Sequence, residues 1–177
     1  MRRSWIWLLP LVLMLGCKDP NQTADLPIRK IVEEVEFVQT LDGDEAKFRI
    51  DGDVKTVQFL QVESPSIDRK QPLGEDAMDL TDSLLKNAKK IELRYDVHQG
   101  KSLVKAYVFA DGTNVQKELL KKGLARKREE PFGKNRENLV NDLQATELEA
   151  QEKQVGIWAC PGYVRNKDFA PEKWCKD

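Results

Sequence analysis

Three strands, a helix, two more strands and then helices follow one another along the 177-residue sequence. That order predicts an α+β fold on a five-stranded β-barrel of OB type with about three helices. Two further observations agree with one such domain. Asp-Gly-Asp turns separate the strand-like stretches, and 40% hydrophobic with 33% charged residues suits a single core under a solvated surface. Lys plus Arg is 29 against 30 for Asp plus Glu, so the net charge of −1 excludes a protein that grips nucleic acid by overall charge alone. No apolar run reaches the roughly 18 residues of a spanning helix, which excludes a polytopic helical membrane protein.

Each element has its own signal. Ile31 to Gln39 and Ala46 to Ile50 carry the β-branched and aromatic residues of strands, with Asp42-Gly43-Asp44 turning between them. Asp51-Gly52-Asp53 predicts a hairpin into a third strand, Val54 to Val62. Ser64 to Leu73 is loop by its proline and polar content. Glu75 to Lys89 spaces Ala77, Leu80, Leu84 and Ala88 along one helical face. Ile91 to Val97 and Leu103 to Ala110 return to strand, across a connection containing His98. Asp111-Gly112-Thr113-Asn114 turns into a helix, Val115 to Lys122, which Gly123 stops. A long, mostly polar helix follows from Glu137 to Gln154, with Trp158 placed in the core at its end.

The N-terminus is a targeting segment. Met1-Arg2-Arg3 is cationic, and Trp5 to Leu15 is an apolar run of about eleven residues, the length of a signal-peptide core. Leu13-Met14-Leu15-Gly16-Cys17 resembles a bacterial lipobox, which implies removal of residues 1–16 and acylation of Cys17. Residues 17–30 then form a polar tether between lipid and domain. Removal takes two of the basic residues and none of the acidic ones, so the mature chain is more acidic than the whole. Lys18 after the cysteine resembles lipoproteins sorted to the outer membrane, in a host that has one. In an oxidising compartment Cys160 and Cys175 are expected to pair within a tail of residues 159–177. Closing a loop of about 15 residues contributes about 3 kcal/mol. Trp174 is expected to pack beside that bond, and His98, with no nucleophile or metal-ligand spacing around it, reads as an exposed loop residue.

Six stretches stand out by their order and spacing: Leu41-Asp42-Gly43-Asp44, Phe59-Leu60-Gln61-Val62-Glu63-Ser64-Pro65, Asn87-Ala88-Lys89-Lys90-Ile91-Glu92-Leu93, Ala106-Tyr107-Val108-Phe109-Ala110-Asp111-Gly112, Gly123-Leu124-Ala125 and the closing Gly156-Ile157-Trp158. Together they carry a resemblance, across the domain of residues 31–158, to the staphylococcal nuclease (thermonuclease) family. It implies Ca²⁺-dependent hydrolysis of DNA and RNA phosphodiesters. That chemistry needs carboxylates on the metal, a carboxylate base for water, and arginines to neutralise charge on the phosphoryl oxygens. By the resemblance, Asp44, Glu63 and Ser64 stand at the calcium-ligand positions, Glu63 where the family has Asp and Ser64 where it has Thr.

The catalytic positions depart from the family. Gln58 and Leu103 fall where it has arginines, and Ser66 falls where it has the base. Losing one such donor typically costs roughly 10²–10³ in rate. Lys101 or Lys105 is a substitute cation, and Asp68 a substitute carboxylate. The family's nucleotide-packing tyrosines are replaced by Arg126-Lys127-Arg128, a candidate phosphate contact whose alternative reading, together with Lys121 and Lys122, is a solvated helix end.

Three readings stay open: an envelope binding or interaction module with a degenerate centre, a working Ca²⁺-dependent nuclease, or a structural envelope lipoprotein. The partners they imply are the membrane through Cys17, nucleic acid, or an envelope protein. A cation from Lys101 or Lys105 converging on Asp44 and Glu63 would favour the enzyme.

Overall fold

A computed structural model describes residues 32–96 and 103–175; the signal segment, the tether, Cys17, His98 and Lys101 lie outside them. Strand β1 (Val32–Asp42) pairs antiparallel with β2 (Glu45–Ile50), which pairs with β3 (Asp53–Phe59). Alternation decides the inward face: Ala46, Phe48 and Ile50 of β2 and Val57 and Phe59 of β3 are buried, the residues between them less so. β3 ends sooner than the strand expected to run to Val62. Gln61 takes a left-handed φ of 67°, which breaks the ladder and sets off a short strand, β4 (Val62–Glu63).

Helix α1 (Gly74–Asn87) follows, packed against β1, and ends two residues before the predicted Lys89. Strand β5 (Ile91–Arg94) pairs with β1 and with β6 (Val104–Ala110). Parallel pairing of β3 with β6 closes the five long strands into a barrel. A two-residue strand, β7 (Thr113–Asn114), leads into α2 (Val115–Lys121), whose first turn is capped by the Asn114 side chain accepting from Lys117 N–H at 2.9 Å. β6 is buried along Ala106 to Ala110 because α2 packs against it, and α2 is in turn packed by α3 (Glu137–Glu152). Buried Gln116 of α2 completes the strand's hydrogen bonding: its amide accepts from Val108 N–H and donates to Ala106 C=O, both at 3.1 Å.

Beyond the barrel, β8 (Arg126–Lys127) pairs antiparallel with β4. At the C-terminus β9 (Val164–Arg165) and β10 (Asp168–Phe169) form a small hairpin. The disulfide expected between Cys160 and Cys175 is present, with Cα atoms 5.4 Å apart. A second apolar cluster surrounds it, built from Ile157, Cys160, Tyr163 and Phe169 with Trp158 and Trp174 packed on it. Trp158 is therefore not in the barrel core, as the sequence led one to expect; it is half-buried on this outer cluster, and its neighbour Ile157 is the fully buried residue.

Candidate functional site

Asp44 is the last residue of the β1–β2 turn, where Gly43 lets that turn lie close to α1 and the β4 loop. A Cβ on Gly43 would stand 2.6 Å from that of Ala77 and 2.7 Å from that of Ser64. Thr81 of α1 fixes the turn by donating to Gly43 C=O at 2.7 Å. Asp44, only 7% exposed, accepts a 2.8 Å hydrogen bond from the Ser64 hydroxyl. Burial pushes its carboxyl up to about 6, against the opposing pull of the Ser64 bond and the Arg128 charge.

Glu63 reaches the same place from β4, and the pairing of β4 with β8 puts Arg126 directly opposite it. The Arg126 guanidinium forms an ion pair with Glu63. Arg128 spans the group, with Nη2 3.4 Å from Asp44, Nε 3.6 Å from Glu63 and Nη1 3.9 Å from Glu130. Glu130 is paired to Lys105 and accepts from Gln61 N–H at 3.0 Å, while its own C=O accepts from the Gln61 amide at 2.9 Å. Although burial pushes the Glu130 carboxyl up, these bonds and the Lys105 and Arg128 charges hold it below its ordinary value. The result is a compact set of three carboxylates and three cations: Asp44, Glu63 and Glu130 with Arg126, Arg128 and Lys105.

Asp44, Glu63 and Ser64 do come together, and Lys105 joins them through Glu130 and Arg128. The reading of Arg126 as part of a solvated helix end is corrected. Helix α2 stops at Lys121, and Arg126 is 7% exposed on a strand with its guanidinium committed to Glu63. Its proposed neighbours differ from it. Lys127 donates its backbone N–H to Glu147 at 2.5 Å, and its side chain is half-exposed. Ser66 lies near Asp42, and its backbone N–H donates to the Gln71 side chain at 2.7 Å. Asp68 is exposed beside Asp42, whose carboxyl burial raises and Asp68 raises further. Gln58 pairs in register with Lys105, and Leu103 is 38% exposed. The sequence reading missed Glu130 altogether. Its signal was the period-two run Arg126-x-Arg128-x-Glu130, which puts three charges on one face of an extended segment.

As arranged, these side chains do not fit Ca²⁺. The ion takes six to eight oxygen ligands, whereas Asp44 and Glu63 are engaged by two guanidiniums and a hydroxyl. An added dication would meet both positive groups at short range. Among the described residues no three His, Cys, Asp or Glu side chains stand together so as to hold a metal.

Residues 56–160 match the family model described as staphylococcal nuclease homologue. The chain is 33% identical over 149 residues to the SPbeta prophage-derived endonuclease YokF of Bacillus subtilis, covering 79% of this chain and 49% of that protein. It is likewise 33% identical over 150 residues to endonuclease YncB of the same organism, covering 80% of this chain and 69% of that protein. The chain thus spans about half the length of the first relative and somewhat over two thirds of the second. With the closed barrel, the helix between its third and fourth long strands and the paired Asp44 and Glu63 in place, the chain belongs to the staphylococcal nuclease homologue family.

Proposed function

We propose that this chain is an exported, lipid-anchored module of the nuclease fold whose hydrolytic centre has been converted into an internal ion-pair network. On this reading it binds nucleic acid or an envelope protein without cleaving a phosphodiester. One observation carries the reading: Arg126 and Arg128 neutralise the very carboxylates, Glu63 and Asp44, that the family's chemistry reserves for a metal. Gln58, Leu103 and Ser66 support it, since none offers the charge or basicity that phosphoryl transfer to water requires. The Cys160–Cys175 disulfide supports export, because such bonds persist in oxidising compartments. Anchoring through Cys17 rests on the lipobox-like sequence. Incorporation of labelled palmitate, lost in Cys17→Ser, tests that part.

Cleavage is tested with the chain from residue 24 onward, which contains every described strand and helix. Single- and double-stranded DNA and RNA are incubated with it in millimolar Ca²⁺ and in chelator. No cleavage above buffer from folded protein is the expected result. A second reading, an endonuclease, is favoured by the names of the two relatives and by the cations that do reach the carboxylates. Chelator-sensitive cleavage that Asp44→Ala abolishes would establish it and overturn the first.

A further inference from the structure

The family match ends at residue 160, and the residues beyond it do not merely trail from the domain. Residues 160–175 are closed on themselves by the disulfide and folded into the β9–β10 hairpin. Its turn is made by Asn166 and Lys167, both left-handed with φ of 52° and 63°. Buried Tyr163 anchors it, donating to Pro72 C=O at 2.6 Å and packing against Phe169 and Trp174 with ring centroids 5.7 and 4.9 Å away. Two ion pairs flank the turn, Lys167 with Glu129 at 2.5 Å and Arg69 with Asp168 at 3.7 Å.

The turn meets the site at one group. Arg126 donates through Nη2 both to Glu63 and to the main-chain oxygen of Lys167, and its guanidinium lies 5.9 Å from the Phe169 ring centroid. A guanidinium this buried needs acceptors on more than one side, or its desolvation is uncompensated. The Lys127 carbonyl takes Nη1 at 3.3 Å, and the Lys167 carbonyl shares Nη2 with Glu63, holding the guanidinium in place without adding charge.

We propose that the disulfide-closed hairpin is the positioning element of the site: the Lys167 carbonyl holds Arg126 on Glu63 and so keeps a divalent cation from that carboxylate. The proposal rests on the reading of Arg126 and Arg128 as internal counter-ions. Lys167 is a positioning residue by its backbone, not its ammonium, and this separates its variants. Lys167→Gly keeps the left-handed turn and the carbonyl but loses the Glu129 pair. Lys167→Pro cannot adopt a positive φ and displaces the carbonyl.

The test is calorimetric titration of the full chain in mild detergent with Ca²⁺ alone, each variant being checked for a folded barrel by near-ultraviolet circular dichroism. Wild type and Lys167→Gly are expected to show no binding into the millimolar range. Lys167→Pro, the pair Cys160→Ser/Cys175→Ser, and Arg126→Gln with the disulfide intact are each expected to acquire it. A hairpin lost for purely structural reasons would lower stability without creating a cation site. Gain of binding in Arg126→Gln but in neither hairpin variant would overturn the hairpin's role and leave the counter-ion reading standing. No gain in Arg126→Gln would overturn the proposal at its first step. Tight Ca²⁺ binding by wild type with its disulfide closed would overturn the counter-ion reading itself.

Discussion

Arg128 reaches back 84 residues to place Nη2 3.4 Å from the Asp44 carboxylate, and the same guanidinium lies 3.6 Å from Glu63. Removing it leaves the buried Asp44 carboxylate without a cation, while Glu63 keeps its pair with Arg126. Arg128→Ala is therefore expected to destabilise the fold by about 1–3 kcal/mol at pH 7, the usual cost of stranding a buried charge that keeps some solvent contact. Arg128→Ala/Asp44→Asn should recover part of that loss, because the stranded charge is gone. Urea unfolding of both singles and the double closes the cycle. Strictly additive effects would show that the two residues do not share an energetic contact.

Asp44 also gives a pH signature with a defined sign. Its folded-state pKa is pushed up to about 6 from an ordinary 3.8, so the folded chain holds this proton more tightly than the unfolded one. The stability it contributes is full below pH 3.8 and is lost as pH rises through about 6. Asp44→Asn keeps an acceptor for Ser64 and has nothing to ionise. It should match wild type below pH 4 and exceed it by up to about 3 kcal/mol at pH 8, because each pH unit between the unfolded and folded values is worth about 1.4 kcal/mol. Urea midpoints measured from pH 4 to 8 check this. A difference between the proteins that does not change with pH would remove the buried-carboxylate account.

How far the sequence reveals this centre depends on whether a residue's role is local. Ala46, Phe48 and Ile50 announce their face by alternation, and all are buried as a two-residue period requires. Asp42-Gly43-Asp44 and Gly123 are legible because turn and helix-stop chemistry is written in adjacent residues. The break at Gln61 is not. Its left-handed backbone is held by bonds from its N–H and side-chain amide to Glu130, 69 residues away, and nothing near position 61 foretells them. The ion pairs of Arg126 and Arg128 are hidden for the same reason: they exist only because β4 and β8 pair, each only two residues long. Segments that short carry too little hydrophobic periodicity to separate them from loop.

Gln116 is expected to matter beyond its size. Fully buried on α2, it serves a backbone donor and a backbone acceptor of β6, two residues apart on one strand. Gln116→Leu fills similar volume and leaves Val108 N–H without its partner, while Ala106 C=O keeps the bond it accepts from Leu60 N–H at 3.0 Å. Stranding that one donor costs about 1–3 kcal/mol, which outweighs the apolar gain. A net loss of about 1 kcal/mol or more in thermal or urea unfolding is expected. Hydrogen exchange at Val108, whose N–H is the stranded donor, should also rise. A variant as stable as wild type would mean that water or a backbone shift replaces the amide.

Two glycines with positive φ separate strain from collision. Gly112 has φ of 82° and nothing within 4 Å of an added Cβ, so Gly112→Ala should cost only the left-handed penalty, about 1 kcal/mol. Gly156 has φ of 57°, and its Cβ would stand 2.1 Å from the Gly123 carbonyl oxygen, the same oxygen that accepts from Ile157 N–H at 2.8 Å. No flexible side chain can yield there, because both partners are backbone. Gly156→Ala must therefore part the two segments, at an expected cost of about 3 kcal/mol or more. The consequence reaches the site from both sides: Gly123 leads through Leu124 and Ala125 into Arg126, and Gly156 leads through Ile157 into the Cys160 anchor of the hairpin. Parting them should loosen the Arg126–Glu63 pair as well as the fold. The expected readout is a fall in melting temperature several-fold larger for Gly156→Ala than for Gly112→Ala, with new Ca²⁺ binding only in the former. Equal shifts from the two substitutions would show that the Gly123–Gly156 crossing does not hold these segments together.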